Sequence, residues 1–136
     1  MDAKKFIMAA LAGGVTLFVL GGIFYAILLA DFFNSAAGDS VGTYRQEPIF
    51  WAILVGELCA AALVTLIFGR WASISTFAGG AKAGAIFGVL LSLSFGLTMY
   101  GTTTLMSMAA VLVDPIVNLI RYVVAGGVIG WVLGRK

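Results

Sequence analysis

Histidine is missing from this chain, cysteine occurs once and proline twice, and only 10% of its 136 residues are charged. Each scarcity closes off a class of function. With Cys59 alone and no histidine, no disulfide can form within the chain. Zinc, haem and iron–sulfur centres of the usual kinds lack a ligand set, so no metal or cofactor is expected. There is also no GxSxG turn, no phosphate-binding glycine loop and no pair of carboxylates within one segment, which points away from an enzyme. A soluble domain devotes roughly a quarter of its residues to charge, so this chain is too poor in polar surface to cover a water-soluble globule. Its net charge of +2 is too small to suggest nucleic-acid binding.

What the chain has instead is apolar length. Hydrophobic residues make up 62% of it, and mean hydropathy is +1.10. Four continuous apolar segments stand out, over about residues 6–30, 48–69, 78–100 and 115–134. At 1.5 Å per helical residue each can cross roughly 30 Å of hydrocarbon. Such runs far exceed barrel strands, and open sheet edges are not satisfied in lipid, so helices are required. The expectation is an all-α integral membrane bundle of four transmembrane helices, a single domain over 1–136. The first segment has a basic start, but its apolar run is longer than that of a cleaved signal peptide and reads as a retained span. The stretch "GTTTLMSMAAVLV" at 101–113 could lie in the interface, dip into the membrane or extend the fourth helix. Asp114 before Pro115 favours a break at that point.

Charge placement sets the expected orientation. Lys4, Lys5, Arg70, Lys82, Arg135 and Lys136 flank one side of the four spans, and only Arg45 falls on the other, with Asp31, Asp39 and Glu47. The positive-inside bias then puts both termini in the cytoplasm. Trp51 on one side, and Trp71 and Trp131 on the other, suit interfacial aromatic belts. Glu47-Pro48 and Asp114-Pro115 open the second and fourth spans, since proline fits the first helical position and an acidic neighbour favours the positive helix end. Cys59, inside an apolar run, reads as a small packing residue.

Small residues recur at four-residue spacing. Gly80, Gly84, Gly88, Ser92 and Gly96 line the third span, and Gly126, Gly130 and Gly134 the fourth. Gly13, Gly14, Gly21 and Gly22 give the first a similar smooth face. Lipid removes most of the hydrophobic drive between helices, so close backbone approach has to replace it. These ridges serve packing within the bundle or a homodimer seam, and they argue against a wide aqueous pore.

Two charges resist a local explanation. Glu57 lies in "WAILVGELCAAALV" and Arg121 in "NLIRYVVAGG". Measured from the prolines, Arg121 is about 9 Å deep and Glu57 about 13 Å, and a lone charge near the membrane centre costs about 2.5–3.5 kcal/mol on insertion scales. An interhelical pair is the economical arrangement; snorkelling of Arg121 to the headgroups is the competitor. Asp114, Asn118, Arg121 and Tyr122 share one helical face, so Tyr122, Asn118 or Asp114 can satisfy the remaining donors. Asp114 is also explained as a helix cap, Lys82 by snorkelling, and the Thr102–Thr104 run by capping at the outer loop.

The stretch "GRWASISTFAGGAKAGAIFGVLLSLSFGLTMYGTT" resembles small bacterial four-helix membrane proteins of unknown function. The resemblance covers mainly the second half of the chain and implies a multi-pass protein of the bacterial inner membrane, with no activity attached. Four spans and an intramembrane glutamate are also similar to the small multidrug-resistance transporters. Those carry the acidic residue in the first helix, whereas here it is Glu57 in the second. Two functions follow from the residues. One is binding or transport of an ion, proton or small amphipathic ligand at an intrabundle polar site of Glu57, Arg121, Asn118, Tyr122 and Asp114. The other is a structural or accessory subunit, its partners being membrane lipids, a second copy or another membrane subunit.

Overall fold

Polar side chains set the helix starts, and the apolar runs between them form the helices. Asp2 caps α1 (Ala3–Gly21), its carboxylate accepting from the Lys5 backbone N–H at 2.7 Å. The chain continues through a π-helical stretch, Gly22–Leu28, into the short α2 (Ala30–Ser35). Helix α3 (Phe50–Leu66) likewise runs on into π-helical Ile67–Trp71. Thr76 opens α4 (Phe77–Thr102) by accepting from Gly79 N–H at 3.0 Å. Ser107 opens α5 (Met108–Leu133) by accepting from Ala110 N–H at 3.3 Å. This computed structural model describes residues 2–35 and 48–135. Arg45, Asp39, Glu47 and Lys136, on which part of the charge map rests, lie outside the described residues.

The described residues are all-α, with no strand among them. Four helical stretches are long and apolar enough to cross a membrane: Ala3–Leu28, Phe50–Trp71, Phe77–Thr102 and Met108–Leu133. The last one corrects the sequence reading, because the fourth helix begins at Met108 and not at Pro115. An interior proline removes one backbone hydrogen bond, here to the Val111 carbonyl. Against that loss stand the Ser107 cap and the burial of Ala110, Val111 and Pro115. Asp114 is therefore an interior helical residue and not a cap. Pro48 likewise falls two residues ahead of α3, whose N-cap is Ile49. At the end of α4 the Thr102 and Thr103 hydroxyls donate to the Thr98 and Met99 carbonyls, each at 2.7 Å.

Helix α5 is the centre of the arrangement. It packs along α4 on one side and along α1 on another, α1 packs on α3, and α3 meets α5 only narrowly. Neighbours run antiparallel: Gly80 faces Gly126 and Gly130 while Gly96 faces Val111, and Gly13 faces Ile129 while Gly21 faces Arg121. The ends bearing Lys4, Lys5, Arg70, Lys82 and Arg135 consequently share one end of the molecule. Between α4 and α5 the backbones touch. A Cβ at Gly80, Gly84 or Gly88 would overlap the carbonyl oxygen of Gly126, Tyr122 or Asn118, and one at Gly126, Gly130 or Gly134 would overlap that of Gly80, Thr76 or Ser75. Ser92 and Gly96 extend the same buried face of α4.

The hydrophobic core joins α1, α3 and α5 through Ala9, Leu17, Ala61, Val64, Phe68, Ala125 and Ile129, with Phe87 of α4 edge-on to Phe68 at 6.3 Å. Cys59 is exposed and takes no part in it, which corrects the expected packing role. The buried residues of α3 are Ala61, Val64 and Thr65, followed by Phe68 in the π-helical turn. Cys59, two residues before Ala61, is rotated to the opposite side of the helix. Trp51, Trp71 and Trp131 also point outward.

Candidate functional site: a polar chain through four helices

Arg121 is the best-buried charge, its side chain only 7% exposed. It is held from three helices. Nη2 donates to Glu57 Oε1 of α3 at 2.6 Å and to the Leu17 carbonyl of α1 at 3.0 Å, and Nη1 donates to Asn118 Oδ1 one turn earlier in α5 at 2.9 Å. The Tyr25 ring lies against the guanidinium, 5.5 Å from its centroid to Cζ. Gly21 makes this approach possible, since a Cβ there would come within 3.0 Å of Nη2. Nε is buried with no partner.

The chain continues through Asn118 to Asp114. The Asn118 amide donates to Asp114 Oδ2 at 3.2 Å and to the Asp114 carbonyl at 3.3 Å, and it also reaches the Tyr25 hydroxyl at 3.2 Å. Tyr25 in turn donates to Asp114 Oδ1 through a short hydrogen bond. From α4, Ser92 donates to Asp114 Oδ2 at 2.7 Å. One continuous polar chain thus runs Glu57, Arg121, Asn118, Asp114, Ser92, with Tyr25 beside it. It draws a residue from every long helix.

The two carboxylates are held differently. Glu57 has the guanidinium; Asp114 has only neutral donors, and Glu57–Arg121 is the one ion pair among the described residues. An ionised carboxylate offers about four lone-pair positions, of which three are used here. Beside Asp114 lies a cavity of about 200 Å³, lined by Gly88, Leu91, Ser92, Phe95, Asn118 and Tyr122 as well as Asp114 itself. The arrangement supplies a carboxylate with spare acceptor capacity, a hydroxyl and an amide near it, and apolar walls. Among the described residues no group of three or more His, Cys, Asp or Glu is placed to hold a metal ion.

The structure brings Glu57, Arg121, Asn118 and Asp114 together. Tyr122 does not join them by hydrogen bonding among the described residues: its backbone carbonyl packs on Gly84, its Cβ on Gly88, and its side chain helps to line the cavity. Sequence reasoning missed Tyr25 and the Leu17 carbonyl, and it gave Ser92 only a packing role. Tyr25 could have been noticed as the one hydroxyl in "GGIFYAILL". Its partner depends on a π-helical register that no residue spacing announces. Comparison with known proteins adds no relative: no family model matches the chain, and neither does any curated protein or solved structure.

Proposed function

We propose that this is a non-enzymatic, multi-pass membrane protein that binds a small cation or protonated amphipathic ligand at Asp114, within a four-helix bundle. In this reading the four apolar helices are the spans, both termini are cytoplasmic, and the membrane is the bacterial inner membrane. The basic end of the molecule supports that orientation, and the glycine faces of α4 and α5 provide the close contact on which helix association in lipid depends. The single observation that carries the ligand reading is the charge arithmetic of the polar chain. The polar chain holds two carboxylates and one arginine, the arginine is bonded to Glu57, and Asp114, which has only neutral donors, borders the 200 Å³ cavity. Buried ionisable groups in a bundle are expensive and mark ion or substrate paths by default.

Calorimetric titration of the purified protein in detergent with tetraethylammonium, and separately with Na⁺, tests the reading. Saturable binding of at least one cation that disappears in Asp114→Asn, with thermal stability retained, is the expected result. Binding of neither, or binding unchanged by Asp114→Asn, removes it. A second reading, in which the polar chain only fixes helix register in an accessory subunit or homodimer, rests on its near-complete internal satisfaction, with Arg121 Nε the one buried side-chain nitrogen or oxygen left unpartnered among the described residues.

A further inference from the structure

A second cavity, of about 300 Å³, lies at the basic end of the molecule, far from Asp114 along the helices. It is an open cleft between the start of α1 and the end of α5, and Asp2, Lys4, Lys5, Met8, Val132 and Arg135 line it. Three cations therefore face one carboxylate, and that carboxylate already accepts from the Lys5 backbone N–H as the α1 cap. Neither lysine nor Arg135 has an ion-pair partner among the described residues. Arg135 is nevertheless held in place, its Cζ 5.0 Å from the centre of the Trp131 ring, a contact that orients a guanidinium without neutralising it. The positive end of the α1 dipole points the same way.

We propose that this cavity binds a phosphate group, presented by an anionic lipid of the membrane face on which it opens. A phosphodiester answers the lining better than a carboxylate does, because it spreads charge over oxygens that an arginine and two lysines can meet from different sides. Met8 and Val132 supply an apolar wall for the glycerol and upper acyl chain. A water occupies about 30 Å³ of liquid, so the space suits a headgroup more than a single ion. Basic pockets between helices at the cytoplasmic face hold anionic headgroups in this way. The proposal rests on the membrane reading above, but not on ligand binding at Asp114.

Arg70 and Lys82 provide the control, since they lie at the same end of the molecule and do not line the cavity. Native mass spectrometry of detergent-purified protein, offered equal phosphatidylglycerol and phosphatidylcholine, should show phosphatidylglycerol retained. The triple variant Lys4→Gln/Lys5→Gln/Arg135→Gln should lose that preference, weakening binding on the order of 100-fold, while Arg70→Gln/Lys82→Gln keeps it. An equal loss in both sets overturns the site, because the charges would then act as a diffuse surface. Displacement of the lipid by inorganic phosphate overturns the lipid assignment and makes a soluble phosphate compound the ligand. A protein that needs detergent yet shows no phosphatidylglycerol preference loses this proposal alone, and one soluble without detergent loses the membrane reading with it.

Discussion

Arg121 meets Glu57 across the bundle, Nη2 to Oε1 at 2.6 Å, with the guanidinium all but sealed off and the carboxylate still one-fifth exposed. Such a pair is weak evidence of stability, because two desolvation penalties offset much of the attraction. Its asymmetry is more informative. Removing the partly exposed glutamate leaves a buried cation with only Asn118, the Leu17 carbonyl and the face of the Tyr25 ring to hold it. Glu57→Ala should therefore cost about 3–5 kcal/mol, seen as a lowered unfolding midpoint in detergent. Glu57→Leu combined with Arg121→Met removes the unmatched charge and should restore most of that loss. A double variant no more stable than Glu57→Ala would show that the pair is not what holds these helices.

The contact between α4 and α5 makes a sharper claim about single atoms. A Cβ at Gly84 meets the Tyr122 carbonyl, which is fixed in the backbone of α5, whereas a Cβ at Gly56 meets nothing within 4 Å. Gly84→Ala should destabilise by about 1–3 kcal/mol through overpacking. Gly56→Ala should be neutral or stabilising by up to about 1 kcal/mol through helix propensity. Thermal unfolding of the two variants under identical conditions decides it. If both behave alike, the helices are not in backbone contact at that position.

The four long apolar helices, though not the short α2, and the placing of small residues on one helical face could be read from composition and spacing, because both follow from period and length. Pro115 could not be read correctly: a proline after an acidic residue looks like a helix start, and only the Ser107 cap and the burial of Ala110 and Val111 show otherwise. That difference changed the role of Asp114 from cap to interior acceptor, and with it the extent of the polar chain. Cys59 was misplaced because α3 is apolar all round, so hydropathy does not say which face is inside. Ser92 sat in the glycine ridge and was legible as small; that it also donates depends on Asp114 lying opposite it in α5. Glu57 and Arg121 could be paired more simply, since they are the two charges in the apolar runs that resist a local explanation.

Orientation can be checked at the turns between helices. In a Cys59→Ser background, cysteine placed at Thr104, between α4 and α5, should react with a membrane-impermeant maleimide added to intact cells. Cysteine at Ser75, between α3 and α4 at the basic end, should react only after the cells are opened. The expectation follows from the gathering of Lys4, Arg70, Lys82 and Arg135 at the Ser75 end and the positive-inside bias. Labelling of the Ser75 position from outside would invert the protein.

Tyr25 offers the closest test of the Asp114 end of the chain. Its hydroxyl donates to Oδ1, while Ser92 and Asn118 both donate to Oδ2, so Oδ1 depends on Tyr25 more than Oδ2 depends on either of its donors. Tyr25→Phe should therefore destabilise by about 1.5–3 kcal/mol, the range for a hydrogen bond to a charged group. Ser92→Ala should cost less, because Asn118 remains on the same oxygen. In an Asp114→Asn background the acceptor no longer carries charge, and the Tyr25→Phe penalty should shrink by about 1 kcal/mol or more, a coupling of the size that residues in one network show. The four proteins of that cycle, unfolded by heat in the same detergent, give the coupling directly. A value near zero would mean that the tyrosine hydroxyl is satisfied elsewhere, and that the π-helical stretch after α1 is not there to deliver it to Asp114.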